Sequence, residues 1–111
     1  MAKKIDIKHI EHTLKELLQN KGIDIHKIVV FGSFAKKTGK EDSDIDIIVV
    51  SKDFRDKDIF TRVRITRGIH RQLVERIVKP FDIIYYSDKE WEQGNSVIIN
   101  AAKEEGVVIH G

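Results

Sequence analysis

Apolar residues recur along the first half of the chain in two spacings, one typical of helices and one of buried strands. Isoleucine and leucine stand three or four positions apart over residues 6–19, which predicts a helix that ends in a polar segment before Gly22. β-Branched residues dominate two short runs, 25–31 and 45–51. These runs predict two strands of a buried sheet.

The second half of the chain repeats both patterns. Apolar residues at helix-compatible steps again precede a run rich in isoleucine and tyrosine. The remaining predicted elements are, in order, a long helix over 56–78 ended by Pro80, a strand over 81–86, a helix over 96–105 capped by Asn95, and a short strand over 107–110. The order α-β-β-α-β-α-β predicts an α/β domain in which helices cover a sheet.

Composition narrows the class of protein. The 111 residues, 34% of them charged, fit a single domain spanning 1–111, without repeats or linkers. The absence of cysteine excludes a disulfide framework, a thiolate nucleophile and a cysteine-bound zinc ion. The net charge of +2 does not favour direct nucleic-acid binding. Because the sequence has neither an apolar leader core nor a run long enough to cross a bilayer, we expect a cytoplasmic location and no membrane association.

A polar segment, GSFAKKTGKEDSDID, separates the first two predicted strands. Asp44 and Asp46 are two residues apart, so on an extended chain both carboxylates point to one face. Two close anions repel unless a cation compensates them, and oxygen ligands favour Mg²⁺, which fills its other positions with water and phosphate oxygens. The pair therefore predicts a metal site and a phosphorylated substrate. The alternative is a solvated loop end, since Glu41 and Asp42 next to it are also acidic.

The start of the same segment has the character of a phosphate site. Gly32 permits a tight turn after the strand, and the hydroxyl and N–H groups from Ser33 onwards would face an anion if a helix starts there. Lysines in the segment could add positive charge, but the spacing singles out none of them. A P-loop is not indicated, because Gly39-Lys40 lies too far from Gly32 and is not followed by serine or threonine.

These residues resemble the signature of the DNA polymerase beta-like nucleotidyltransferase superfamily. Gly32-Ser33, ten residues and then Asp44 and Asp46 is similar to its Gly-Ser-x10-Asp-x-Asp motif. Asp82, at the start of the third predicted strand, stands where the superfamily has a third carboxylate. The C-terminal segment also resembles the ending of minimal, single-domain members.

The resemblance implies a fold and a mechanism. The fold is a mixed, twisted sheet with helices packed on one side. Asp44, Asp46 and Asp82 would be catalytic and would hold two Mg²⁺ ions, while Gly32 and Ser33 would bind the phosphates of ATP or another nucleoside triphosphate. A nucleoside monophosphate would then pass to a hydroxyl acceptor, and pyrophosphate would leave.

The resemblance also implies a class of partner. Minimal members of this kind are similar to the antitoxin halves of two-gene systems whose other half is a small helical ribonuclease of the HEPN type. The implied reaction is transfer of AMP to that protein. Transfer to a small molecule and a non-catalytic, partner-binding role remain alternatives, and a homo-oligomer is compatible with the sequence.

Arginines make the second predicted helix, over 56–78, basic. Arg64, Arg67 and Arg71 fall close to one face of it. This face is either simply solvated or a surface for an acidic partner or for phosphates.

Overall fold

The computed structural model of the chain describes residues 7–32 and 44–111. Within them, helices and strands alternate around one sheet. The elements are, in chain order, α1 (Ile7–Asn20), β1 (Lys27–Phe31), β2 (Ile45–Val50), α2 (Ile59–Ile65), α3 (Ile69–Ile77), β3 (Phe81–Tyr86), α4 (Asp88–Gln93), α5 (Val97–Glu105) and β4 (Val107–His110), with a short 3-10 turn at Lys52–Phe54. No helix among these residues is both long and apolar enough to span a membrane.

The four described strands form one mixed sheet in the order β3-β2-β1-β4. β1 pairs antiparallel with both β2 and β4, whereas β2 and β3 run parallel. The parallel pair is joined by a crossover through α2 and α3, as parallel neighbours require. The predicted α/β class and mixed sheet are therefore confirmed, and β3 lies at one edge.

Helices pack against both faces of the sheet. Ile10 of α1 and Leu73 of α3 belong to a core on one face, together with Ile47 of β2. Trp91 of α4 and Ile99 of α5 belong to a smaller core on the other face. The one-sided cover expected from the family resemblance thus describes only the larger core. The second layer exists because β1 and β2 are apolar on both faces and must be buried on both.

The long helix predicted over 56–78 is wrong in its continuity. The structure has two helices there, α2 and α3, separated at Gly68, which has a φ of +88°. Asp58 caps α2 by accepting a hydrogen bond from the Thr61 N–H at 2.7 Å. The apolar spacing across the break still fits a helix, so periodicity alone did not detect it.

The short helix α4 was not predicted. Ser87 and Glu90 form a reciprocal capping box at its start, and Gly94 ends it in the left-handed conformation. The Ser-x-x-Glu signal was present in the sequence and could have located this helix. The next helix is capped by Ser96 rather than by the predicted Asn95, because the Ser96 hydroxyl accepts from the backbone at its start.

Candidate active site

Two of the predicted site residues, Asp46 and Asp82, lie side by side on neighbouring strands. Asp46 of β2 is in register with Asp82 of β3. Paired residues on adjacent strands point to the same face, and adjacent strands are about 4.8 Å apart. Both carboxylates therefore lie on the face that α4 and α5 cover farther along the strands. The arrangement meets the geometric condition for a shared site.

The third carboxylate, Asp44, immediately precedes β2 and is exposed. It is near enough to contribute to the electrostatic potential at Asp46. The structure thus brings Asp46 and Asp82 together in register, with Asp44 beside them at the open end of the sheet.

Gly32 lies directly against Asp46. It follows β1 with a φ of +79°, and a Cβ atom built on it would overlap the Asp46 Oδ2 atom and come 3.3 Å from its Cγ. The left-handed backbone favours glycine at this position, and a larger residue would also have to displace the Asp46 carboxylate. The turn out of β1 and the carboxylates of β2 and β3 form one continuous site.

The described residues give the site a negative electrostatic character. Partial burial raises the pKa of Asp46 above its usual value of 3.8, and the nearby charges of Asp82 and Asp44 raise it further. No cation among the described residues offsets these effects. A bound cation would relieve this repulsion.

The donor set fits Mg²⁺ in chemistry. It consists of carboxylate oxygens, the ligands that this hard ion prefers, and Mg²⁺ commonly takes one or two carboxylates and completes its shell with water and phosphate oxygens. Among residues 7–32 and 44–111 no three histidine, cysteine, aspartate or glutamate side chains converge tightly enough to hold a metal by themselves. The described atoms therefore fit an ion held by Asp46 and Asp82 and completed by a phosphate-bearing ligand.

Ser33 lies outside the described residues, as do the lysines of the connecting segment. Their assignment to phosphate binding stays a prediction. The described part of that assignment is Gly32, whose position against Asp46 places the predicted phosphate turn beside the carboxylates.

Sequence reasoning missed a groove that Asp82 helps to line. It has a volume of about 330 Å³ and runs between the edge strand β3 and the turn joining α2 to α3. Its lining residues are Val63, Thr66, Arg67, Gly68, His70, Asp82, Ile83 and Tyr85. Because the predicted helix over 56–78 was continuous, it offered no turn that could form such a groove.

We expect Gly32→Ala to destabilise the protein by about 2 kcal/mol or more. Alanine would be strained in the left-handed conformation of residue 32, and its Cβ would overlap the Asp46 carboxylate. Part of this cost should disappear in the Asp46→Ala background, where Oδ2 is absent and only the backbone strain remains. A double-mutant cycle from urea unfolding measures the difference. Additive effects of the two substitutions would contradict the close contact.

Comparison with known proteins gives a family for the chain. The nucleotidyltransferase domain family matches residues 10–109. No curated protein matches the chain in sequence.

Solved structures share the fold. A toxin-antitoxin structure with AMP-PNP is 22% identical, with a TM-score of 0.64 over 91% of this chain and 73% of that one. A tri-AMPylated HEPN toxin in complex with an MNT antitoxin, from Shewanella oneidensis, is 18% identical, with a TM-score of 0.58 over 96% of this chain and 73% of that one. A protein described as a minimal nucleotidyltransferase is 19% identical, with a TM-score of 0.52 over 92% of this chain and 94% of that one.

These identities carry the fold alone, whereas the family match covers most of the chain and includes Gly32, Asp44, Asp46 and Asp82. The chain therefore belongs to the nucleotidyltransferase domain family.

Proposed function

We propose that this protein is a Mg²⁺-dependent nucleotidyltransferase that moves AMP from ATP to a hydroxyl group on a separate, helical protein of the HEPN type. The observation that carries the proposal is the pairing of Asp46 with Asp82 directly beside the Gly32 turn. It combines a carboxylate site that needs a cation with a backbone turn that allows close approach of phosphate.

Each residue has a role in the proposed reaction. Asp44, Asp46 and Asp82 supply the metal-ligating oxygens. Gly32 lets the backbone approach the β- and γ-phosphates, and Ser33 donates hydrogen bonds to them. Mg²⁺, when bound, neutralises the triphosphate and lowers the pKa of the attacking hydroxyl. The two-ion arrangement implied by the family resemblance stays a prediction.

The transfer exchanges a phosphoanhydride bond of ATP for a phosphoester bond to the acceptor. The acceptor oxygen forms a bond to the α-phosphorus, the bond from that phosphorus to the oxygen bridging to the β-phosphate breaks, and pyrophosphate leaves. The hydroxyl proton passes to the Asp82 carboxylate and then to solvent.

The choice of acceptor is supported by what the chain shares with toxin-antitoxin complexes. One structural neighbour contains a HEPN toxin that carries AMP groups together with an MNT antitoxin, and another contains AMP-PNP. The proposal therefore predicts a neighbouring gene for a short, all-helical protein with an Arg-x4-6-His motif. The cytoplasm, where ATP is available, is the proposed location.

The test is incubation of that neighbouring protein with this chain, ATP and Mg²⁺, followed by intact-mass measurement. We expect the partner to gain the mass of one or more AMP groups, and chelation of the metal or the Asp44→Asn/Asp46→Asn variant to prevent the gain. Equal labelling by the variant would contradict the assigned site.

Two other outcomes correspond to the alternative functions. Labelling of a small molecule but not of the protein would identify a small-molecule transferase. Tight binding of the partner without any AMP transfer would identify a non-catalytic antitoxin. Absence of a neighbouring helical protein would contradict the proposed acceptor.

A further inference from the structure

The outer edge of β3 can be assigned from its hydrogen bonds to β2. The Ile45 N–H donates to the Pro80 carbonyl at 2.9 Å, and the Ser51 N–H donates to the Tyr86 carbonyl at 3.0 Å. In a parallel pair, alternate residues of a strand direct both backbone groups to the same neighbour. The even-numbered residues of β3 therefore face β2, and the odd-numbered residues direct their N–H and C=O groups outward.

Side chains from the crossover cap two of the outward carbonyls. His70 Nε2 donates to the Phe81 carbonyl at 2.6 Å, and Arg62 donates to the Tyr85 carbonyl at 2.9 Å. Between them lies Ile83, whose outward N–H and C=O have no partner assigned among the described residues. Native proteins usually cover or otherwise protect the unpaired N–H and C=O groups of an edge strand, unless a binding partner pairs with them. The outward carbonyls on either side are therefore capped, and Ile83 is the residue of β3 at which neither outward group has a partner assigned among the described residues.

Ile83 opens into the groove described above. The groove extends past Val63, which is 60% exposed although it is apolar, and past Arg67, which is also exposed and has no ion pair assigned among the described residues. Asp82 also lines the groove. A ligand in the groove would therefore contact a backbone donor and acceptor, an apolar wall and a cation, next to Asp82 on the edge strand.

The order of the strands indicates which of the two substrates, the nucleotide or the acceptor, approaches the site from the side of β3. Gly32 follows β1, Asp46 lies on the central β2, and Asp82 lies on the edge strand β3. In phosphoryl transfer the attacking and leaving oxygens are roughly in line on opposite sides of the phosphorus. With pyrophosphate held at the Gly32 turn, the attacking hydroxyl would enter from the β3 side, where Asp82 lines the groove.

We propose that an extended segment of the acceptor protein docks along the outer edge of β3, pairs its backbone with Ile83, and so places its hydroxyl at Asp82. This inference rests on the proposed transfer of AMP to a protein. Addition of a strand to an exposed edge is a common mode of peptide binding, in which the backbone gives affinity and side chains give specificity. Arg67 favours an acidic residue in that segment.

Amide hydrogen exchange tests the docking without relying on catalysis. In the free protein we expect the Ile83 N–H to exchange faster than those of Asp82 and Ile84, which face β2. In a complex of the Asp46→Asn variant with the helical partner, the Ile83 amide should become protected by about tenfold or more, the effect of one backbone hydrogen bond in a closed interface. An Ile83 amide that exchanges equally fast in both states would overturn the proposal.

A pair of substitutions isolates the backbone donor. Ile83→Pro removes the outward N–H together with the isoleucine side chain, and proline is tolerated in an edge strand where its nitrogen faces away from the ladder. Ile83→Ala is the matched control, because it loses side-chain packing but keeps the N–H. We expect Ile83→Pro to raise the acceptor KM about fivefold to tenfold above Ile83→Ala, with unchanged affinity for AMP-PNP.

The outcomes separate this inference from the proposed function. If the wild type transfers AMP but the two Ile83 variants have the same acceptor KM, the docking mode is wrong and the transfer stands. If no AMP is transferred but the Ile83 amide is protected in the complex, the docking stands and the transfer is wrong. Labelling of a small molecule alone would overturn both.

Discussion

Asp46→Asn is expected to abolish nucleotide transfer and at the same time to stabilise the folded protein. Asp46 is partly buried and lies beside Asp82 and Asp44, so its charge is disfavoured in the folded state. Asparagine keeps the shape but removes that charge. Because metal-assisted charge stabilisation contributes several kcal/mol, the transfer rate should fall by about a thousandfold or more.

The difference in stability between Asp46→Asn and the wild type should depend on pH in a defined direction. The folded-state pKa of Asp46 is raised above 3.8, so the folded protein holds the proton more strongly than the unfolded chain does. Proton binding by Asp46 therefore stabilises the folded wild type below about pH 3.8, and this stabilisation is lost as the pH rises through the folded-state pKa. The Tm of Asp46→Asn minus that of the wild type should grow over this interval and then level off.

The measurement is thermal unfolding in a chelating buffer, together with the mass assay of AMP transfer. Glu92→Gln is a suitable control because it removes an exposed carboxylate on α4, which follows the end of β3 opposite to Asp82. Addition of Mg²⁺ and AMP-PNP should stabilise the wild type and this control but not Asp46→Asn. A destabilised Asp46→Asn protein, or equal gains from the ligands, would contradict a repelled metal-binding carboxylate.

Arg62→Ala is expected to have the largest effect on stability, about 3 kcal/mol or more. Only 12% of the Arg62 side chain is exposed. Its guanidinium donates to the carbonyls of Lys57, Phe54 and Tyr85, each at 2.9 Å, and forms an ion pair with Glu90 at 2.7 Å. Removal leaves three carbonyls and one carboxylate without this donor, which costs far more than loss of a surface charge.

Urea unfolding measures this effect against Arg64→Ala, which removes an exposed arginine two positions along the same helix. We expect Arg64→Ala to change the free energy of unfolding by less than about 0.5 kcal/mol. Arg62→Lys should not restore stability, because an ammonium group cannot reproduce the planar fork that reaches four acceptors. Similar stabilities for Arg62→Ala and Arg64→Ala would contradict this network.

The role of Arg62 also shows what the charge and spacing of residues in the sequence cannot predict. The sequence predicted a basic helix with a solvated or partner-facing surface, yet this arginine turns inward while Arg67 faces the groove. Charge and spacing are the same for an inward and an outward arginine. Only the position of β3 and the 3-10 turn, whose carbonyls need donors, selects the inward orientation.

The break in the helix predicted over 56–78 could not be predicted from the spacing of apolar residues either. α2 has no buried residue, and its apolar Ile59 and Phe60 are exposed, so the periodicity that predicted a long helix did not reflect packing there. The left-handed Gly68 separates α2 from α3 and creates the groove. A glycine inside an apolar pattern signals such a break only when the surrounding contacts are known.

The sequence by itself determined the α/β class, all four described strands and the two aspartates spaced to share a face, because alternation and β-branched runs are local properties of the chain. The tertiary structure alone decided that Asp82 lies in register with Asp46, that Gly32 abuts that carboxylate and that one edge residue, Ile83, opens beside the site. These relations join residues far apart in sequence, and strand order and register fix them through packing of both sheet faces.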